Sequence, residues 1–102
     1  MTSVEWTEAS FEAAHHGPFG DQIHGHTWHV RIFWPALPQV DARWMLAKLS
    51  ATIEAWDHTL LDDKVTPTNY GVAVAIGDAM PDVTQVEVWR GGRQPCGARF
   101  VR

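Results

Sequence analysis

The stretch IHGHTWHV, residues 23 to 30, sets His24 and His26 two positions apart with Gly25 between them. In an extended strand two residues advance roughly 6.6 Å and bring the side chain back to the same face, so both imidazoles can converge on one ion. Gly25 leaves the opposite face open. Taken alone, the pair fits a chelating edge or a polar patch on a strand, and a third donor is needed to choose. His15 can supply it, because it ends a preceding apolar stretch just before a short Gly- and Pro-containing loop that returns the chain to His24 as a hairpin neighbour. Three neutral histidines would make a zinc site with an open fourth position, the arrangement of catalytic rather than structural zinc.

Three histidines stand outside this set. If the strands persist, His16 points away from His15 and His29 lies opposite His26, which reads both as solvated or capping residues. His58 follows Asp57 in WDHTLLDD, and an adjacent carboxylate can orient and polarise an imidazole. Asp57 and His58 therefore read either as a proton relay or as a helix C-terminal histidine interacting with the dipole.

The elements that must position these groups can be traced along the chain. Residues 4 to 15 predict a strand. Val4 and Trp6 sit on one parity while Ala9, Phe11, Ala13 and His15 sit on the other, which predicts a bulge near Thr7. Residues 24 to 34 alternate cleanly, with His24, His26, Trp28, Val30, Ile32 and Trp34 on one face of a second strand. Asp41 is placed to cap a helix whose apolar face is Ala42, Leu46, Leu49, Ile53 and Trp56. Thr68 is placed to cap a second helix that stops before Pro81, weakened by Gly71 and Gly77. VTQVEVWR (83 to 90) and GARFVR (97 to 102) read as an antiparallel pair of strands. The order is strand, strand, helix, helix, strand, strand in one domain spanning residues 1 to 102.

Composition narrows the function. A chain of 102 residues, 45% hydrophobic and 20% charged, suits one globular core. Its net charge of -4 lacks the basic footprint of a nucleic-acid binder. There is no apolar run near the roughly 20 residues of a membrane span, and MTSVEWTEAS has no signal-peptide pattern. With a single cysteine, Cys96, the expectation is a cytoplasmic protein with no membrane partner. The six tryptophans, spread from Trp6 to Trp89, read first as packing and interface residues, with a ligand-stacking platform as the alternative.

FEAAHH (11 to 16), HGHTW (24 to 28), WDHTLLDD (56 to 63), PTN (67 to 69) and VEVWR (86 to 90) occur in an order that resembles the 6-pyruvoyltetrahydropterin synthases and the related 6-carboxytetrahydropterin synthases of queuosine biosynthesis. The resemblance spans nearly the whole chain. It implies an α+β tunnelling fold, a four-stranded antiparallel sheet with two helices on one face, assembled into homo-oligomers, typically hexamers built as dimers of trimers. It implies zinc on His15, His24 and His26, the relay on Asp57 and His58, and a lyase that removes triphosphate from 7,8-dihydroneopterin triphosphate.

The departures from that pattern are specific. The family's catalytic cysteine, four residues before the first histidine of HGH, is Gly20 here, which leaves Asp21 or His58 as candidates for a replacement base. The glutamate commonly found after Pro-Thr-x is Tyr70. The glutamate that anchors the pterin after Val-x-Val is Arg90, a cation with no acceptor for the pterin's N–H donors. Arg90 shares a strand face with Val86 and Val88. It either enters the pocket as a planar fork for a carboxylate or phosphate, or stands in solvent beside Gly91 and Gly92. Arg90 and Thr68 are the candidate substrate-binding residues. The expected protein is a zinc-binding homologue that acts on or binds a pterin-like small molecule without the ordinary elimination. The alternative is an inactive zinc-containing module for a different, anionic small molecule.

Overall fold

A computed structural model describes residues 3–17, 22–91 and 95–102. Two long strands, β1 (Val4–His16) and β2 (Ile23–Pro35), form a hairpin whose register runs without interruption from Val4 opposite Pro35 to His16 opposite Ile23. The expected bulge near Thr7 is therefore not formed. Val4 and Trp6 lie on the sheet face that no helix covers, and the Arg31 guanidinium, 4.6 Å from the Trp6 ring centroid, shields part of that indole. An apolar residue on the open face carries the same pattern signal as one in the core.

The chain continues through helix α1 (Ala42–Glu54), a two-residue strand β3 (Thr59–Leu60), a short 3₁₀ turn (Leu61–Asp63) and helix α2 (Asn69–Ala79), and closes with β4 (Gln85–Arg90) and β5 (Cys96–Val101). Among the described residues the sheet has five strands in the order β3-β1-β2-β4-β5. This corrects the expected four-stranded sheet. The extra strand pairs in parallel with Ala13 and Ala14 of β1, and two residues are too few to leave a periodic trace in the sequence.

Both helices pack on one face of the sheet, α1 against β1 and α2 against β4 and β5. Asp41 caps α1 by accepting the Arg43 N–H at 2.7 Å. The buried face of α1 is Met45, Leu49 and Ile53, whereas Ala42 and Leu46 are exposed, a correction to the expected stripe. Leu46 follows Met45 and points about 100° away around the helix, so packing against the sheet selects which of the two is buried. Between the layers lie Phe11, Trp28, Val30, Ile32, Trp34, Val72, Ile76, Val86 and Val88, all buried. Trp28 and Trp34 are core residues, as the packing reading expects, while Trp44 stays exposed beside Lys48.

The glycines of α2 have a structural reason. A side chain at Gly71 would collide with the carbonyl oxygen of Thr66, and a Cβ at Gly77 would lie 2.5 Å from Cε1 of Phe100. Close approach to the preceding loop and to β5 outweighs the helix-propensity cost of roughly 1 kcal/mol per glycine.

Candidate metal centre

His15 and His24 are directly opposed across the β1–β2 hairpin, and His26 is the next residue on the same face of β2. The three rings form a nearly regular triangle, with centroids 4.6, 5.0 and 4.7 Å apart for the pairs 15–24, 15–26 and 24–26. One nitrogen of each lies within 4.8 Å of the other two. Directly after His16, Gly17 donates its N–H to the Gln22 carbonyl at 2.9 Å, which brings the two strand ends together. A Cβ at Gly25 would meet nothing within 4 Å, so the far face of β2 is open at that point, as expected.

The buried His15 has its protonation pattern set by two neighbours. Nδ1 lies 2.9 Å from the Pro67 carbonyl, which can only accept, so Nδ1 carries the proton. Nε2, with its lone pair, then faces Nη1 of Arg90 at 3.2 Å, a group that can only donate. A carbonyl on the outer nitrogen is the contact that commonly orients a metal-binding histidine. Burial lowers the pKa of His15, the Arg90 charge adds to that shift, and the Pro67 hydrogen bond opposes it. His26 is lowered by the same two causes in the same order. Both shifts favour the neutral form that binds metals, and Nε2 of His26 is buried without a hydrogen-bond partner. These residues fit a divalent ion of the zinc type: three nitrogen donors converge, one is oriented from behind, and one is unsatisfied.

Arg90 enters this centre rather than solvent. Its guanidinium carbon sits 4.8 Å from the Trp28 ring centroid, and the Trp28 indole is itself fixed by donating to the Ala13 carbonyl at 3.1 Å. Of the two positions left open by the sequence, the strand-face argument from Val86 and Val88 gives the observed one.

Asp57 and His58 lie at the β1 edge of the sheet. Asp57 accepts the Glu12 backbone N–H at 2.8 Å through one oxygen and holds Nδ1 of His58 at 2.9 Å through the other. The Glu12 hydrogen bond, followed by that from His58, keeps the Asp57 carboxyl below its ordinary pKa. His58 adopts a left-handed backbone with φ of 58°, and its backbone N–H bonds to the Glu12 carbonyl. The His58 ring is exposed and helps line a groove of about 610 Å³ that also touches Glu12, His26 and Thr27. Thr68 caps α2, its hydroxyl accepting the Gly71 N–H at 2.9 Å. Tyr70 is exposed. Gly20, where the resemblance implies a thiol, and Asp21, a candidate replacement base, lie outside the described residues.

Sequence reasoning missed several contacts. His16 is tied to Asp62, which accepts its backbone N–H at 3.0 Å and approaches its ring at 3.3 Å. His29 stacks on Trp89 with centroids 5.3 Å apart, so neither histidine is merely solvated. Cys96 opposes Arg90 across β4 and β5, and the side-chain amide of the buried Asn69 lies 3.3 Å from its sulfur. The Pro67 carbonyl, a backbone group, has no sequence signal. The other contacts join positions separated by long stretches of chain.

No family model matches the sequence, and no curated protein does. The structure, however, resembles solved ones over its full length. It matches a Caenorhabditis elegans 6-pyruvoyl tetrahydropterin synthase with a TM-score of 0.73 and 16% identity, covering 98% of this chain and 96% of that one. The Plasmodium vivax 6-pyruvoyl tetrahydropterin synthase matches with a TM-score of 0.67 and 14% identity, covering 100% and 99%. For the Plasmodium falciparum synthase the TM-score is 0.67, the identity 10% and the coverage 99% of both chains. The chain thus has the α+β tunnelling fold of the 6-pyruvoyl tetrahydropterin synthases, as the sequence motifs imply. Among the described residues no helix is long and apolar enough to cross a membrane.

Proposed function

We propose that this chain is a zinc-binding homologue of the 6-pyruvoyltetrahydropterin synthases that acts on or binds a pterin-like small molecule. The observation that carries the reading is the convergence of His15, His24 and His26, with the outer nitrogen of His15 held by the Pro67 carbonyl. A zinc ion bound there supplies Lewis acidity to a ligand oxygen. The protein's own groups do the rest: Pro67 fixes the His15 ring, Trp28 seats the Arg90 guanidinium, and Asp57 holds the His58 imidazole in a defined orientation.

The ordinary elimination of triphosphate is not the activity proposed. Gly20 replaces the thiol, and Arg90 replaces the carboxylate that would accept from the pterin N–H groups. Assembly is part of the proposal. The exposed Val4, Trp6 and Val101 on the sheet and its ends favour a homo-oligomer closed through the sheets, with the hexamer of two trimers as the expected form.

The test is incubation of zinc-loaded protein with 7,8-dihydroneopterin triphosphate. Triphosphate release should fall on the order of 10²- to 10⁴-fold below that of ordinary synthases, the usual cost of a missing general base. Release at their rate contradicts the assignment.

A second reading rests on Arg90. A guanidinium beside the three histidines suits a module that binds an anionic small molecule without turning it over.

A further inference from the structure

The Arg90 contact places a permanent cation where a metal-binding lone pair points. Nε2 of His15 is the only ring nitrogen of that residue free to bind a metal, because Nδ1 is committed to Pro67. Arg90 Nη1 lies 3.2 Å from it. No carboxylate among the described residues forms an ion pair with Arg90; the ion pairs formed there are His16 with Asp62, Arg31 with Glu8, Arg43 with Asp41, His58 with Asp57 and Arg99 with Glu87. Nε of Arg90 is buried with no hydrogen-bond partner, and Trp28 holds the guanidinium from one side. The side chain therefore has donors unused in a half-buried position, and its charge opposes that of any cation held by the histidines.

We propose that Arg90 couples the metal to an oxyanion, so that each is bound weakly alone and the two are bound tightly together. This rests on the zinc-centre reading above and names the ligand's chemistry: a carboxylate or another oxyanion that takes one oxygen to the metal's open position and offers another to the Arg90 fork. Without the anion, the guanidinium occupies the His15 lone pair and repels the ion. With it, the charge is neutralised, the unused Arg90 donors gain an acceptor, and Nε2 is released. Coupling of this kind is reciprocal and typically amounts to about 5- to 150-fold in affinity.

The experiment measures zinc affinity by competition with a chromophoric chelator at constant ionic strength. It is run in chloride, in acetate and in sulfate, for the wild type, Arg90→Met and Arg90→Lys. Methionine keeps an unbranched chain over Trp28 and removes the charge, and circular dichroism verifies that each variant is folded. In chloride, Arg90→Met should bind zinc about ten-fold more tightly than the wild type, within the usual range of such couplings. The wild type should tighten by at least about five-fold on replacing chloride with an oxyanion, and Arg90→Met should not respond. Arg90→Lys should bind zinc as weakly as the wild type in chloride and lose most of the response, because an ammonium lacks the two-pronged geometry. A gain with acetate larger than with sulfate assigns a planar carboxylate, and the reverse assigns a tetrahedral group. Equal zinc affinities for all three proteins in every salt overturn the coupling while leaving the zinc centre intact. Absence of zinc binding in all three removes both.

Discussion

Arg90 and His15, 75 positions apart in the chain, meet at 3.2 Å with an arginine N–H directed at the nitrogen a metal would use. The contact follows from three features of the fold: the register of β4 against β2, the buried face shared with Val86 and Val88, and the Trp28 ring that supports the guanidinium. The resemblance of the motifs implies a glutamate at this position, where this chain has Arg90. The substitution reverses the charge at the centre of the site.

A carboxylate in place of Arg90 should accordingly favour a pterin's N–H donors. Arg90→Glu is expected to gain pterin affinity of at least about ten-fold, a coupling within the range of one charged hydrogen-bonding group. Gly20→Cys alone should gain none. Isothermal calorimetry with a reduced pterin reads both, and recovery through Gly20→Cys without any effect of Arg90→Glu contradicts the role given to Arg90.

Much of this site was legible in the sequence because its parts obey short-range rules. The strict alternation from His24 to Trp34 fixed the face of β2, and the short loop before His24 implied its pairing with His15. Other features depend on information that no local pattern carries. Val4 and Trp6 read as core residues out of register, whereas they belong to the open face. Leu46 and Met45 differ little in hydrophobicity, and only the packing against the sheet decided between them. The destination of Arg90 was open because it depends on where Trp28 and His15 lie in space, and the Pro67 carbonyl was invisible because every residue has one.

The Asp57 carboxylate gives a pH signature. Its folded pKa lies below the ordinary value, so the stability it contributes is complete above its unfolded pKa of about 3.9 and is lost as pH falls through the lower folded value. Asp57→Asn should therefore lower the thermal midpoint most at neutral pH, with the gap to the wild type closing in acid. The shifts of Asp41 and Asp62 in the same direction are present in both proteins and leave the comparison unchanged. A gap that widens in acid contradicts the Glu12 and His58 contacts.

Thr68 is a candidate substrate-binding residue whose hydroxyl caps α2 by accepting the Gly71 N–H. Thr68→Ala should cost about 1 kcal/mol of stability in chemical denaturation, the usual value for a lost N-cap. Thr68→Ser, which keeps the oxygen, should recover most of it. If neither variant changes stability while ligand affinity falls, the hydroxyl serves the ligand instead.

The open sheet face should be closed by other copies of the chain. Light scattering at micromolar concentration is expected to give an assembly larger than a dimer, and Trp6→Glu should shift it toward smaller species, since a charge would replace an indole that is 52% exposed on that face. A monomeric wild type would remove the oligomer from the proposal.

The central claim is that His15, His24 and His26 hold one zinc ion. Metal analysis of purified protein after dialysis against an oxyanion buffer tests it most directly: the account predicts about one zinc per chain in the wild type, the stoichiometry of a single three-histidine site, and a loss of most of it in His24→Ala. A wild type without zinc, or a His24→Ala protein that keeps its full complement, would contradict the account.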